Sequence, residues 1–203
     1  TSSGANSFAF GYAALASGSN SISIGTNTDA TQNSSVAIGS GSQATSAYSF
    51  AAGKNSSGAA SVATSGNAAT ALGGSRASGT DSFAAAITNN TSTYGASGAN
   101  AVAIGSLSKA SNGQTLALSQ GAIASGSTAI SIGRYATASG GWSTVLGGSS
   151  VASQLYSTAI GQFASSDIIG KIAFGGGYKF STTGDVQQGK FILRSDTTNA
   201  TAE

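Results

Sequence analysis

A tetrapeptide of large apolar, small, large apolar and glycine residues returns along this chain of 203 residues. It stands, for example, as Val36-Ala37-Ile38-Gly39 and as Ile130-Ser131-Ile132-Gly133. Its last position recurs every 14 residues at Gly11, Gly25, Gly39 and Gly53, and again at Gly105, Ser119, Gly133, Gly147, Gly161 and Gly175. A fixed short period is typical of solenoids, in which each unit buries its apolar face only against neighbouring units.

The spacing within the unit indicates strands, because the large apolar residues stand two positions apart. Five residues after the glycine comes a column of alanines: Ala16, Ala30, Ala44, Ala110, Ala124, Ala138 and Ala152. We therefore expect each unit to be a coil of two short strands and two turns. About twelve such coils, stacked about 4.8 Å apart, would give an all-β parallel β-roll roughly 55–60 Å long. The large residues are predicted to face the alanine column inside this roll.

The small residue between the two large ones is then predicted to point outward. Its column is flat and uncharged and includes Ala37, Ala103, Ala117, Ser131 and Ala159. Such a column is suited to close packing against another chain. We predict it to be the contact through which the protein associates with itself.

The repeat divides the chain into a roll over residues 1–175 and a different β-rich module or linker that starts within 176–203. Six of the 14 charged residues lie in that last segment. Coils between about 54 and 104 are irregular, because Gly53 to Gly73 is a step of 20 residues and Ala86 to Gly105 a step of 19. These extra residues are predicted to be tolerated loop insertions or, alternatively, a binding loop. Since the chain starts at Thr1 rather than Met, we interpret it as a piece of a longer protein.

Composition excludes several functional classes. With eight basic and six acidic residues the net charge is only +2, so nucleic acid is not an expected partner. The chain has no cysteine and no histidine, which excludes a disulfide, a zinc site of the usual ligands and a histidine-dependent triad within it. The six carboxylates are scattered, whereas a glycosidase needs a pair in one cleft. We expect neither an enzyme nor a cofactor or metal site.

Aromatic residues are the surface feature with a pattern. Tyr48, Trp142 and Tyr156 stand nine residues after the repeat glycine, while Tyr135 and Phe163 follow it closely in predicted turns. Exposed aromatic rings on a rigid rod could bind sugar rings of a cell surface. The alternative is a packing ladder, either along the edge of the roll or at the contact between copies of the chain.

Two stretches in phase with the period, 33–44 (NSSVAIGSGSQA) and 127–140 (STAISIGRYATASG), resemble the YadA-like head repeat. The resemblance covers about residues 1–175 apart from the irregular middle. It implies a left-handed parallel β-roll, three of which associate side by side as a homotrimer.

The same resemblance implies a setting. Such repeats occur in bacteriophage tail fibres and in the heads of bacterial trimeric autotransporter adhesins. Segments 180–187 and 193–201 resemble a linker that follows the repeats in phage fibre proteins. We therefore expect a trimeric tail fibre on the virion that binds a host cell-surface receptor, with a glycan as one candidate, and that adjoins further fibre or stalk modules.

Two alternatives stay open. One is the head of a bacterial adhesin at the outer membrane that binds host surfaces. The other is an ice-binding β-solenoid, which is disfavoured because the candidate flat column consists of alanine and serine rather than threonine.

Overall fold

Each unit of the repeat folds into one coil made of a long strand, a turn, a short strand and a second turn. The computed structural model describes residues 1–55, 58–87, 93–177, 183–184 and 187–190. The long strands are β1 (Phe8–Phe10), β3 (Ile22–Ile24), β5 (Val36–Ile38), β7 (Phe50–Ala52), β9 (Thr70–Leu72), β11 (Phe83–Ala85), β13 (Val102–Ile104), β15 (Leu116–Leu118), β17 (Ile130–Ile132), β19 (Thr144–Leu146), β21 (Thr158–Gln162) and β23 (Ile172–Gly176). The short strands are β2 (Leu15–Ala16), β4 (Asp29–Ala30), β6 (Gln43–Ala44), β8 (Val62–Ala63), β10 (Arg76–Ala77), β12 (Gly95–Ala96), β14 (Lys109–Ala110), β16 (Ile123–Ala124), β18 (Thr137–Ala138), β20 (Val151–Ala152) and β22 (Ser165–Ser166).

The long and short strands build two separate sheets, one on each side of the roll. Each long strand pairs in parallel with the long strand of the next coil, and each short strand does the same with the next short strand. The pairing is in phase with the repeat, as Phe8 opposite Ile22 and Leu15 opposite Asp29 show. The predicted all-β parallel solenoid of about twelve coils is therefore confirmed.

The interior of the roll contains small residues from both sheets, which corrects one prediction. The alanine column of the short strands is buried, as predicted. However, the middle residues of the long strands are also completely buried: Ala37, Ala103, Ala117, Ser131 and Ala159. This column faces the alanines of the other sheet, so it cannot contact another chain, and the prediction of a contact there is wrong.

The short turns of the coil explain this arrangement. In a regular coil the strands are joined only by residues 39–42 and 45–49, so the two sheets lie too close for two layers of large side chains. Alanine facing alanine or serine fills this narrow space without voids. The large residues of the long strands must then point outward, because successive side chains of a strand alternate between its two faces.

A serine in the second turn has a specific structural role. Ser143 Oγ donates a hydrogen bond of 2.6 Å to the carbonyl oxygen of Gly140. The same bond joins Ser49 to Ser46 and Ser157 to Gln154, also at 2.6 Å. These buried hydroxyls satisfy a carbonyl inside each turn, which accounts for the serine column ten residues after the glycine.

The irregular coils preserve both sheets. Strand β9 pairs with β7 and with β11, so the ladder of long strands is continuous. The extra residues lie mainly in the connections from β7 to β8 and from β11 to β12, which are two coils apart. Of these connections the structure describes residues 53–55, 58–61, 86–87 and 93–94. They meet where Asn55 Nδ2 donates to the Ile87 carbonyl oxygen at 3.4 Å, while the Ile87 backbone N–H donates to Ser75 Oγ at 3.0 Å. Residues 56–57 and 88–92 lie outside the described residues, and the binding-loop alternative stays a prediction.

The parallel ladder ends at β23. There β24 (Gln187–Lys190) pairs with β23 in the antiparallel direction. Most of the segment expected to resemble a phage fibre linker, residues 180–182, 185–186 and 193–201, lies outside the described residues. The prediction of a separate module over 176–203 therefore stays a prediction. Within the described ranges no helix has the length and apolar character needed to cross a membrane.

Candidate functional site

The outer face of the long-strand sheet is an apolar stripe, which we define as the first and third residues of the long strands β1 to β19 together with Thr158, Ile160, Ile172 and Phe174. Eight of its large side chains are more than a third exposed: Phe8, Phe10, Ile22, Ile38, Leu118, Ile130, Leu146 and Phe174. Two outward positions per coil over twelve coils give a stripe about 50 Å long. Every position of the stripe is among the described residues, and none carries a charge.

The outer face of the short-strand sheet is different. Its outward positions mix apolar and charged side chains, because Asp29, Arg76 and Lys109 alternate with residues such as Val62 and Ile123. Each large aliphatic residue there has polar neighbours on adjacent coils. A contiguous apolar surface rimmed by polar residues marks an interaction site, so the apolar stripe is the candidate contact of this roll.

Sequence reasoning missed the stripe, although its residues belong to the most regular part of the repeat. A strand pattern gives the period of alternation, but it does not say which of the two sets faces inward. The sequence did contain a signal for which set of side chains faces inward. It has two separate columns of small residues, one in each strand, and these fit a narrow interior better than one alanine column that faces large residues.

The turns after the short strands form what we call the second edge of the roll, and three of the predicted aromatic residues lie there. Tyr48, Trp142 and Tyr156 have left-handed backbone conformations, with φ of 59°, 55° and 58°. The same turn position has positive φ in each of the twelve coils and holds Asn6, Asn20, Ser34, Tyr48, Ala68, Asp81, Asn100, Gln114, Thr128, Trp142, Tyr156 and Gly170. Asparagine and aspartate tolerate this conformation well, whereas large aromatic residues do not.

Trp142 and Tyr156 belong to successive coils and are each 57% exposed. Their backbones are held in the same way: Trp142 N–H donates to Ser127 O at 2.8 Å, and Tyr156 N–H donates to Gly141 O at 2.9 Å. Tyr48 is exposed too, but it lies six coils away, a distance of about 29 Å. The structure therefore brings together two of the three predicted residues of this edge.

Three aliphatic residues extend the Trp142–Tyr156 pair, and sequence reasoning missed them. Leu155, Ile168 and Ile169 are all exposed on the turns next to it. They stand outside the repeat consensus, so no periodic signal marked them. A side chain in place of Gly141 would meet Leu155 Cδ1 at 3.0 Å, which shows that Leu155 lies across the coil of Trp142.

The other two predicted aromatics lie on the opposite edge, in the turns that follow the long strands. Tyr135 packs its ring against Gly121, where an added Cβ would lie 2.4 Å from Tyr135 Cδ1. The Arg134 guanidinium stacks 4.6 Å from the centre of the Tyr135 ring and donates from Nε to Gln120 Oε1 at 3.0 Å. Phe163 is half-buried two coils further on. The five predicted aromatics therefore do not form one site.

Among the described residues, two ionisable side chains form an ion pair in the last coil. Lys171 Nζ donates to Asp167 Oδ1 at 2.9 Å, and this hydrogen bond is the main cause that lowers the pKa of Asp167 below its ordinary value. A hollow of about 350 Å³ lies nearby where β24 joins β23, lined by Phe174, Gly175, Gly176, Gln187 and Gln188, none of which is titratable. Among the described residues no group of three or more His, Cys, Asp or Glu side chains is placed to bind a metal ion.

Comparison with known families gives one match. The family model of the YadA head domain repeat matches residues 2–28, 30–56, 96–118 and 143–164. The matched segments include regular coils before and after the irregular middle of the roll. Among curated proteins, none matches this chain.

Proposed function

Because the chain carries YadA head domain repeats, we propose that it is a rigid, self-associating segment of a trimeric attachment fibre. Three copies would lie side by side with their apolar stripes turned toward a common axis. The number three comes from the family resemblance. The surface that makes the contact comes from this chain: it is the outer face of the long strands, in place of the alanine and serine column that the sequence alone suggested.

The apolar stripe is the single observation that carries the proposal. It runs the length of the roll, so side-by-side packing would cover all of it, whereas an end-to-end contact would cover none. Removing the exposed part of its eight most exposed side chains from water contributes about 1 kcal/mol for each. In-register strands also place the same residues of three chains at the same height, so apolar groups would meet apolar groups throughout.

The trimer would suit attachment for two physical reasons. Continuous hydrogen-bonded ladders resist bending, so the roll can hold a binding surface away from the particle or cell that carries it. Threefold repetition would present each weak surface site three times, which raises avidity without any new contact. The partners of the assembled fibre would be a host cell-surface receptor and the adjoining fibre or stalk modules.

Two biological settings fit this role. In the first the chain is part of a bacteriophage tail fibre on the virion, which the sequence of 180–201 favours. In the second it is part of the head of a bacterial trimeric autotransporter adhesin at the cell surface. The match to the YadA head domain repeat supports this setting. The remainder of the gene would distinguish them, because a coiled-coil stalk followed by a membrane anchor would contradict the tail-fibre setting. The ice-binding alternative stays a prediction that no feature of the structure favours.

The association is tested by the native mass of three proteins in light scattering. We expect the wild type to give three times 19.4 kDa. The double variant Leu118→Asp, Ile130→Asp should give a monomer, because it places carboxylates within the apolar contact of two successive coils. The matched control Ile123→Asp, Thr137→Asp changes two successive coils on the other sheet and should keep the wild-type mass. A monomeric wild type, or a control that dissociates as readily as the stripe variant, would contradict the proposal.

A further inference from the structure

We propose that Trp142 and Tyr156, with the serine hydroxyls beside them, form a binding site for a neutral glycan on the second edge of the roll. This site does not depend on the trimeric assembly proposed above. It uses a different surface, since the apolar stripe lies on the long-strand sheet and the aromatic pair lies in the turns after the short strands.

The conformation of the two aromatic residues is the first argument. Both occupy a left-handed turn position that, apart from Tyr48, holds only small or polar residues in the other coils. A bulky side chain there costs roughly 1 kcal/mol, and both rings nevertheless leave more than half of their surface in water. Strained residues that do not contribute to packing are concentrated at functional sites. Two exposed aromatics on successive coils, at a position that small polar residues can fill, therefore favour a role in binding.

The accessibility of the rings is the second argument. The next coil places Gly170 at the equivalent position to Tyr156, and Gly170 has no side chain to cover that ring. In the preceding coil the position equivalent to Trp142 is Thr128, whose side chain is small compared with the indole ring. Coils stack about 4.8 Å apart, so the two rings form an open platform of the size of one or two sugar rings.

Polar groups suited to sugar hydroxyls lie beside this platform. Ser139 and Ser153 each stand three residues before one of the rings, in the Ser/Thr column that follows the short strands. Among the described residues neither serine hydroxyl is used in a hydrogen bond within the protein, although both backbone N–H groups are bonded, to Ala152 O and Ser166 O. They can therefore donate to and accept from a ligand.

The charge and size of the patch select the class of ligand. The charged side chains closest to it in the described chain are Asp167 and Lys171, which neutralise each other at 2.9 Å. An anionic polysaccharide or a nucleic acid would find no cationic group free to pair with it there. The exposed halves of Trp142, Tyr156, Leu155, Ile168 and Ile169 amount to roughly 500 Å², below the ~800 Å² per partner of a stable protein complex. The patch fits a neutral oligosaccharide, with aromatic faces for its C–H groups and serines for its hydroxyls.

Intrinsic fluorescence gives a direct test, because Trp142 is the only tryptophan of the chain. The full chain would be screened on an array of neutral glycans, and then titrated with cellotetraose, maltotetraose, chitotetraose and any glycan that scores, while Trp142 emission is recorded. We expect saturable binding of at least one neutral glycan with a change in Trp142 emission. The variant Tyr156→Asn should weaken that binding at least tenfold. It should fold normally, because Asn6, Asn20 and Asn100 occupy the same turn position in other coils.

The matched control is Tyr48→Asn, which removes an exposed tyrosine from the same turn position of a distant coil. It should leave glycan binding unchanged. The proposal would be overturned by the absence of binding to every neutral glycan tested, or by an equal loss of affinity in Tyr48→Asn. It would also be overturned if Tyr156→Asn lowered the native mass, because the aromatic pair would then be a contact between copies of this chain.

Discussion

At the scale of single residues, equivalent turn positions of successive coils make the same hydrogen bonds. A residue that differs from the others at its position has a different structural role. The buried turn position ten residues after the glycine is serine in many coils and bonds the carbonyl three residues earlier. In the last coil it is Lys171, whose side chain is only 10% exposed and reaches the far more exposed Asp167. A nearly buried ammonium needs a partner, so this pair helps to hold the end of the roll.

The ion pair gives the last coil a predicted pH dependence. Because its pKa lies below the ordinary value of 3.8 in the folded protein, Asp167 contributes stability that is present above about pH 4 and lost as pH falls through the lowered pKa. We expect Asp167→Asn to lower the free energy of unfolding at pH 7 by no more than about 1 kcal/mol, since the carboxylate is largely solvated. Denaturant unfolding at pH 7 and at about pH 2 measures this. A difference between wild type and variant that is the same at both pH values would contradict it.

At the scale of the coil, the repeat glycine permits the approach of successive turns. Gly147 has φ of +147°, and an added Cβ would lie 1.8 Å from the carbonyl oxygen of Gly161 in the next coil. The distance between coils is fixed by the hydrogen bonds of both sheets, so neither turn can move away without breaking them. The close stacking of the regular coils therefore favours glycine at this position.

We predict that Gly147→Ala lowers the free energy of unfolding by more than about 3 kcal/mol, through backbone strain and a clash with backbone atoms. The matched control is Gly73→Ala. Gly73 also has positive φ, +63°, but an added Cβ there would have no atom within 4 Å beyond the adjoining residues. That substitution should lower the free energy of unfolding by only about 1 kcal/mol, the usual penalty of a left-handed alanine. Thermal or denaturant unfolding compares the two, and equal losses would contradict the clash.

The strand pattern, the parallel stacking and the number of coils could be predicted from the sequence, because they depend on the period alone. The side of the sheet that faces inward could not, because a period of two fits either choice. Ala117 and Leu118 illustrate the point: the sequence places them side by side, and only the spacing of the two sheets decides that Ala117 is buried and Leu118 exposed.

The candidate glycan site could be predicted only in part, for a similar reason. Trp142 and Tyr156 are in phase with the repeat, so their proximity follows from the 14-residue spacing. Leu155, Ile168 and Ile169 follow no period, and their exposure depends on the path of two particular turns. Tyr135 was predicted to belong to the site only because it is aromatic. Its ring packs on Gly121, which lies on the opposite edge.

At the scale of the whole molecule, the roll has two chemically different outer faces and two edges. The long-strand face is apolar and uncharged, whereas the short-strand face is mixed. This asymmetry fits the proposed side-by-side trimer, in which one face would be covered and the other would remain in water. The edges would then be left free for the proposed glycan site at the Trp142–Tyr156 pair.

The most direct test of this account is the distance between identical positions in the assembled protein. The chain has no cysteine, so a spin label can be attached at a single introduced cysteine. We would compare Ile130→Cys, on the long-strand face, with Thr137→Cys, on the short-strand face of the same coil. Electron spin resonance should give shorter intersubunit distances at position 130 than at position 137, because the long-strand faces would turn toward the common axis and the short-strand faces away from it. Shorter distances at position 137, or no intersubunit coupling at either position, would contradict the central claim.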